Sequence, residues 1–112
     1  MAIARIDSYR TLAFGAITVG FVPVGAALTH TWRAFRVVNT TDGNITISFD
    51  GINDNLFIPA SSFVLYDLSA NSSTISSEDG LVLSKGTQFY VKQATAPTLG
   101  AIYIEGFYAL GE

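Results

Sequence analysis

Cysteine is absent from the 112 residues, and histidine, methionine and tryptophan occur once each. A disulfide framework, a thiolate nucleophile and a sulfur-ligated metal site are therefore excluded, and a lone His30 excludes a histidine-rich metal site. Charge is the next scarcity. Asp, Glu, Lys and Arg make up 13% of the chain, against roughly 25% in an average soluble domain, while apolar residues hold an ordinary 49%. A surface so poor in charge calls for a cover, either lipid or other subunits. The net charge of −3 gives no general attraction for nucleic acid. Its distribution is uneven: Arg5, Arg10, Arg33 and Arg36 against Asp7 leave +3 up to residue 36, and Lys85 and Lys92 against eight acids leave −6 beyond it. Such polarity lets a basic region of one copy meet an acidic region of the next.

The longest uncharged run covers the 22 residues between Arg10 and Arg33, TLAFGAITVGFVPVGAALTHTW. It is long enough to span a bilayer. However, Gly15, Gly20, Gly25 and Pro23 interrupt it, four threonines dilute it, and leucine appears only at Leu12 and Leu28. Neither a spanning helix nor a secretory leader is expected; a glycine-punctuated β segment covered by protein fits better.

Apolar residues at helical spacing are missing throughout. Short β-type runs alternate with turn chemistry instead. Thr11 to Val22 reads as one or two strands, stopped by Pro23. WRAFRVV (32–38) reads as a strand, NTTDG (39–43) as a hairpin turn whose Asp-Gly supplies positive φ, and NITISFD (44–50) as an alternating strand. In the last, Ile45, Ile47 and Phe49 should face in, and Asn44, Thr46, Ser48 and Asp50 out. GINDN (51–55) is a turn, FVLYDL (63–68) a strand, and the serine-rich stretch 69–80 an exposed loop. Leu81 to Leu83, TQFYVKQ (87–93) and AIYIEGFYAL (101–110) complete the strands, with ATAPTLG (94–100) a loop. The expected fold is all-β, an antiparallel β-sandwich or jelly roll of about seven to nine short strands with an extended N-terminal arm. Residues 1–31 would be that arm and first strands, and residues 32–112 the β-sandwich body, within one domain.

The catalytic templates fail. GAITVG (15–20) begins like a phosphate loop, but Phe21-Val22 stand where Lys-Ser/Thr is required. No G-x-S-x-G elbow exists, and His30 between two threonines reads as a hydrogen-bonded or interface residue. Asp50, Asn53, Asp54 and Asn55 form the best oxygen cluster for a hard cation, yet lack EF-hand spacing and fit a tight turn. Tyr66, Tyr90, Tyr103, Phe107 and Tyr108 invite comparison with a glycan or nucleic-acid platform, but few cations interleave them. No catalytic residue, cofactor or metal site is assigned, and neither nucleic acid nor membrane is an expected partner.

Two segments carry a resemblance. RVVNTTDGNITISFDGINDNLFIPASSFVLYDLSAN, followed by LSKGTQFYVKQATAPTLGAIYIEGFYA, resembles small virion structural proteins of tailed bacteriophages over roughly residues 30–108. The likeness lies in turns and strands and brings no active-site signature. It implies a non-enzymatic building block of the particle, assembled in the bacterial host cytoplasm and forming homo-oligomers. Its partners would be other virion proteins: the major capsid protein, or portal, neck or tail proteins. Capsid decoration is the first expectation, a head-to-tail neck or tail ring component the alternative, and a host-glycan-binding β module the second alternative. The expected partner interface comprises Arg5, Arg10, Leu12, Phe14, Ile17, Val19, Phe21, Val22, Trp32, Arg33 and Arg36.

Overall fold

A computed structural model describes residues 4–68 and 83–109. Among the described residues nine strands follow one another: β1 (Ala4–Ile6), β2 (Arg10–Ala13), β3 (Val22–Pro23), β4 (Trp32–Asn39), β5 (Ile45–Ser48), β6 (Leu56–Ile58), β7 (Ser62–Asp67), β8 (Tyr90–Gln93) and β9 (Ala101–Ala109). The described residues contain no α-helix, and a 3-10 turn covers Phe14–Ala16. Every pairing is antiparallel, and the strands form two sheets. The larger sheet runs β1-β9-β4-β7, with β2 also on β9; the smaller runs β3-β8-β5-β6. The chain is thus an all-β, two-sheet antiparallel sandwich.

The alternation of the sequence explains the core. Inward residues of both sheets, with Ile45, Ile47 and Ile58 facing Val37, Ile102 and Ile104, are shielded from solvent. Full burial of such side chains contributes roughly 1.5–3 kcal/mol each. Trp32, Phe35, Phe49 and Phe89 gather into one aromatic cluster, with ring centroids 5.2–6.1 Å apart. Gly106 makes room for it, because a Cβ there would collide with Trp32 Cε3.

Several local expectations change in the folded chain. NTTDG links the two sheets rather than making a hairpin: β4 and β5 lie in different sheets. Gly43 is not among the positive-φ residues; glycine is needed there because a Cβ would meet the Thr95 carbonyl. Asn39, buried, holds this crossing together. Its Nδ2 donates to the carbonyls of Gly43 (2.9 Å), Ile58 (3.2 Å) and Pro59 (3.0 Å), while its Oδ1 accepts from the Thr41 backbone N–H at 2.9 Å. The Asp-Gly that does supply positive φ is Asp50-Gly51, with Gly51 at +76°, between the paired strands β5 and β6. Thr46 and Ser48, expected to face solvent, are buried. The cause is that β5 is an interior strand: Thr46 stands between Phe57 and Lys92, and the Ser48 hydroxyl accepts from the N–H of Gly51 at 2.9 Å. The expected serine-rich loop (69–80) and residues 81–82 of the expected Leu81–Leu83 strand lie outside the described residues; Leu83 bridges to Trp32.

The 22-residue uncharged run is divided among β2, the 3-10 turn, β3 and the approach to β4. Among the described residues, no helix is long and apolar enough to cross a membrane. Rather than projecting as an arm, the N-terminal residues are woven through the sandwich: β1 and β2 lie end to end on β9, β3 pairs with β8, and Ile17, Val24 and Leu28 enter the core.

Candidate interaction surface

The expected interface residues separate into distinct environments. Trp32 and Ile17 are core residues, and Leu12 and Val22 pack against the core half-buried. This corrects the expectation for Trp32 and Ile17: their apolar character is used inside the fold. Phe21 lies beneath the Lys92 ammonium, 4.6 Å from ring centroid to Nζ. Phe14 and Val19 are exposed, the latter to 78%, and Arg5 on β1 is exposed as well. Arg33 is half-buried at a β-bulge between Trp32 and Ala34.

Arg10 belongs to a built cluster. Its guanidinium lies 5.1 Å from the Trp32 ring and 3.5 Å from the Asp7 carboxylate, and Nη1 donates to the Ser8 carbonyl at 2.7 Å. Trp32 Nε1 donates to Asp7 Oδ2 at 2.8 Å. Burial works against the Asp7 carboxylate, but the Trp32 and Ser8 N–H donors, Arg10 and His30 outweigh it and hold its pKa below the ordinary 3.8. His30 stacks on Tyr108 at 3.8 Å and 3°. The cluster clamps the turn between β1 and β2 onto the buried indole, which is a positioning role.

The Asp50–Asn55 oxygen cluster is a turn held by its own hydrogen bonds. Asp50 Oδ1 accepts from the N–H groups of Asn53 (2.8 Å) and Ile52 (2.9 Å) and from the Ser48 hydroxyl (2.7 Å). Those donors pull its pKa far below the ordinary carboxylate range. Asn55 Oδ1 accepts from the Phe49 N–H at 2.9 Å, and Asp54 pairs with Lys92 at 2.9 Å. Asp42 likewise accepts from the Thr98 hydroxyl and N–H, fastening the 94–100 loop over NTTDG.

The feature that sequence reasoning missed is the outer face of the larger sheet. Register places Thr11, Tyr103, Val38 and Phe63 side by side across four strands, and Ile6, Phe107 and Ala34 in another row. Between them run Glu105, Arg36 and Leu65. Large apolar groups stand in water here: Ile6 is 79% exposed, Leu65 63%, Tyr9 61% and Phe63 59%. A shallow groove of about 390 Å³ crosses the face, lined by Ile6, Tyr9, Leu65, Glu105 and Phe107 among others. Arg36 is the only one of the expected interface residues on it. Its guanidinium bonds Glu105 at 2.5 Å and lies 5.8 Å from the Phe63 ring. The exposed pair itself adds little stability, but it fixes a cation on an apolar surface. The missed signal was in FVLYDL, apolar at both strand parities; a strand with one buried face must then expose the other set.

The aromatic platform does not assemble. Tyr66 stacks on Phe35, Tyr103 meets Tyr9 and Tyr108 carries His30, whereas Tyr90 lies on β8 in the other sheet.

No protein-family description and no curated protein matches this sequence. Among solved structures, the chain is similar to the Dit protein of phage SPP1, described as a paradigm of the hub adsorption apparatus in phages that infect Gram-positive bacteria. The TM-score is 0.42 at 12% identity, over 94% of this chain and 49% of that one. The chain therefore spans about half the length of that protein.

Proposed function

We propose that this protein is a non-enzymatic structural subunit of a tailed-phage virion, working through contacts with copies of itself and with other virion proteins. The observation that carries the proposal is the exposed apolar outer face of the larger sheet. Contiguous apolar surface of this kind on a chain with 13% charged residues marks a site normally covered by protein. The turn-and-strand resemblance to small phage virion proteins supplies the setting. Each polar motif followed in the described residues serves turns and crossings, which fits a building block better than a catalyst.

Within the particle, a neck or tail component is preferred to capsid decoration. Bridging capsomers from outside calls for a free arm, and the described residues ahead of β4 are instead strands and core of the sandwich. What remains is a sandwich whose larger sheet presents an apolar outer face, suited to packing in a ring. Quantitative gel densitometry of purified particles tests both levels. About 5–12 copies per particle are expected for a ring on the symmetry axis. Hundreds would restore decoration, and absence from particles would overturn the virion assignment.

A further inference from the structure

The outer face of the larger sheet is laid out evenly about its middle. β9 and β4 are its inner strands, with β1 and β2 on one flank and β7 on the other. Three cross-strand pairs of these inner strands point outward: Phe107 with Ala34, Glu105 with Arg36, and Tyr103 with Val38. The central pair is charged and the two beside it are not. Its bonding is one-sided. Arg36 Nε donates to Glu105 Oε1 at 2.6 Å, and Nη2 lies 2.5 Å from the same oxygen. Among the described residues Oε2 accepts no hydrogen bond and Nη1 donates none. An uncharged partner covering this face would bury those groups unmet, which is costly. A fitting partner brings an acid and a base of its own at the same spacing, and this chain carries that pattern.

We propose that the larger sheet packs face to face on the larger sheet of a second copy, about a two-fold axis running along the strands between β9 and β4. The inference rests on the reading that the chain works by subunit contacts, and it names one. This axis lays β4 of each copy over β9 of the other. Arg36 then stands over Glu105 of the second copy, and Glu105 over its Arg36. Each intrachain pair stays intact while four charges alternate in sign and the open Nη1 and Oε2 atoms gain partners. An axis laid across the strands at the same level would put each charge on its own counterpart, which like-charge repulsion disfavours. The uncharged neighbours agree with the first axis. Phe107 comes over the small Ala34 and Tyr103 over Val38, so large meets small on both sides of the centre. On the flanks, the exposed Tyr9 meets the exposed Leu65. Sheets stacked in this way are of the aligned class, about 10 Å apart, a gap that an arginine and a glutamate bridge together. Such a pair closes on itself, so a ring would be built of pairs with its other contacts elsewhere.

Charge reversal in the full chain tests the arrangement. Arg36→Glu makes all four central charges negative, and Glu105→Arg makes all four positive. In sedimentation velocity the parent chain should be dimeric, and each variant alone should raise the dissociation constant at least about tenfold. An equimolar mixture of the two variants should recover the parent's affinity as a heterodimer, because every acid then faces a base. Bulk attraction cannot cause that recovery: the formal net charges are −5 (−3 − 2) and −1 (−3 + 2), of one sign. Nor can an intrachain role of the pair, since neither chain regains its own partner. Thermal midpoints should stay near the parent's, because an exposed pair adds little stability. Arg36→Glu combined with Glu105→Arg keeps the intrachain pair and should dimerise like the parent, which carries the test if a single variant folds poorly. A monomeric parent, a single variant that dimerises like the parent, or a mixture or double reversal that stays monomeric overturns the pairing. Presence of the parent chain in purified particles is read separately and decides the virion assignment alone, so the two failures stay distinct.

Discussion

A single missing carbon sets the geometry of the aromatic core. Gly106 is where β9 passes under the Trp32 indole, and Trp32 is wholly buried. Gly106→Ala must displace the indole from Asp7 and Phe89, and we expect a loss of about 1–3 kcal/mol in urea unfolding. An unchanged midpoint would mean the indole has room to move. Three carboxylates act at the same scale. Burial opposes the Asp7 charge, but Trp32, Ser8 and Arg10 prevail; the Thr98 hydroxyl chiefly lowers Asp42; the N–H groups of Asn53 and Ile52 lower Asp50. A carboxylate depressed in the folded state stabilises fully above its unfolded value and loses that contribution as pH falls through the folded one. The thermal midpoint should hold from neutral pH to about 4 and fall on further acidification. Asp50→Asn should lower the midpoint at pH 7 and flatten its acid dependence; a parallel curve would remove Asp50 from the account.

At the scale of elements, the N-terminal strands separate an arm from a woven edge. An arm can be cut away with the body intact. Here β1 and β2 cover one side of β9, Leu12 packs on the core, and Asp7 accepts the buried indole N–H. Deleting residues 1–13 should therefore cost about 3 kcal/mol or more, from one lost side chain packed on the core, one orphaned buried donor and the two strands that pair with β9. Circular dichroism on heating would show it, and a truncated chain melting with the parent would restore the arm. Strand positions were largely legible because alternation and turn residues are local signals: β4, β5, β7 and β9 fall where WRAFRVV, NITISFD, FVLYDL and AIYIEGFYAL place them. NTTDG was read as a hairpin because Asp-Gly chemistry is also local, whereas its crossing between sheets depends on Asn39 reaching the carbonyls of Ile58 and Pro59.

For the whole molecule, the question is what lies on the outer face of the larger sheet. Ile6→Ser with Tyr9→Ser should change stability by no more than about 0.5 kcal/mol, beyond the Tyr9–Tyr103 ring contact, because both side chains stand in water. Incorporation into particles, followed by gel densitometry, should fall severalfold if that face is covered in the virion. Unaltered incorporation would move the interface elsewhere, with the exposed Val19, Phe57 and Leu99 the next surfaces to test.

Composition alone excluded thiol and histidine-cluster chemistry from these residues, and the two-residue period determined an all-β chain, since alternation fixes which side of a strand is apolar. Tertiary structure decided which apolar residues are spent inside. Trp32 and Ile17 are taken into the core by strands distant in sequence, while Phe63 and Leu65, no more apolar, are left outside because they lie on the outer face of the larger sheet, which the smaller sheet does not cover. Burial is a property of neighbours brought by the fold, and composition cannot carry it.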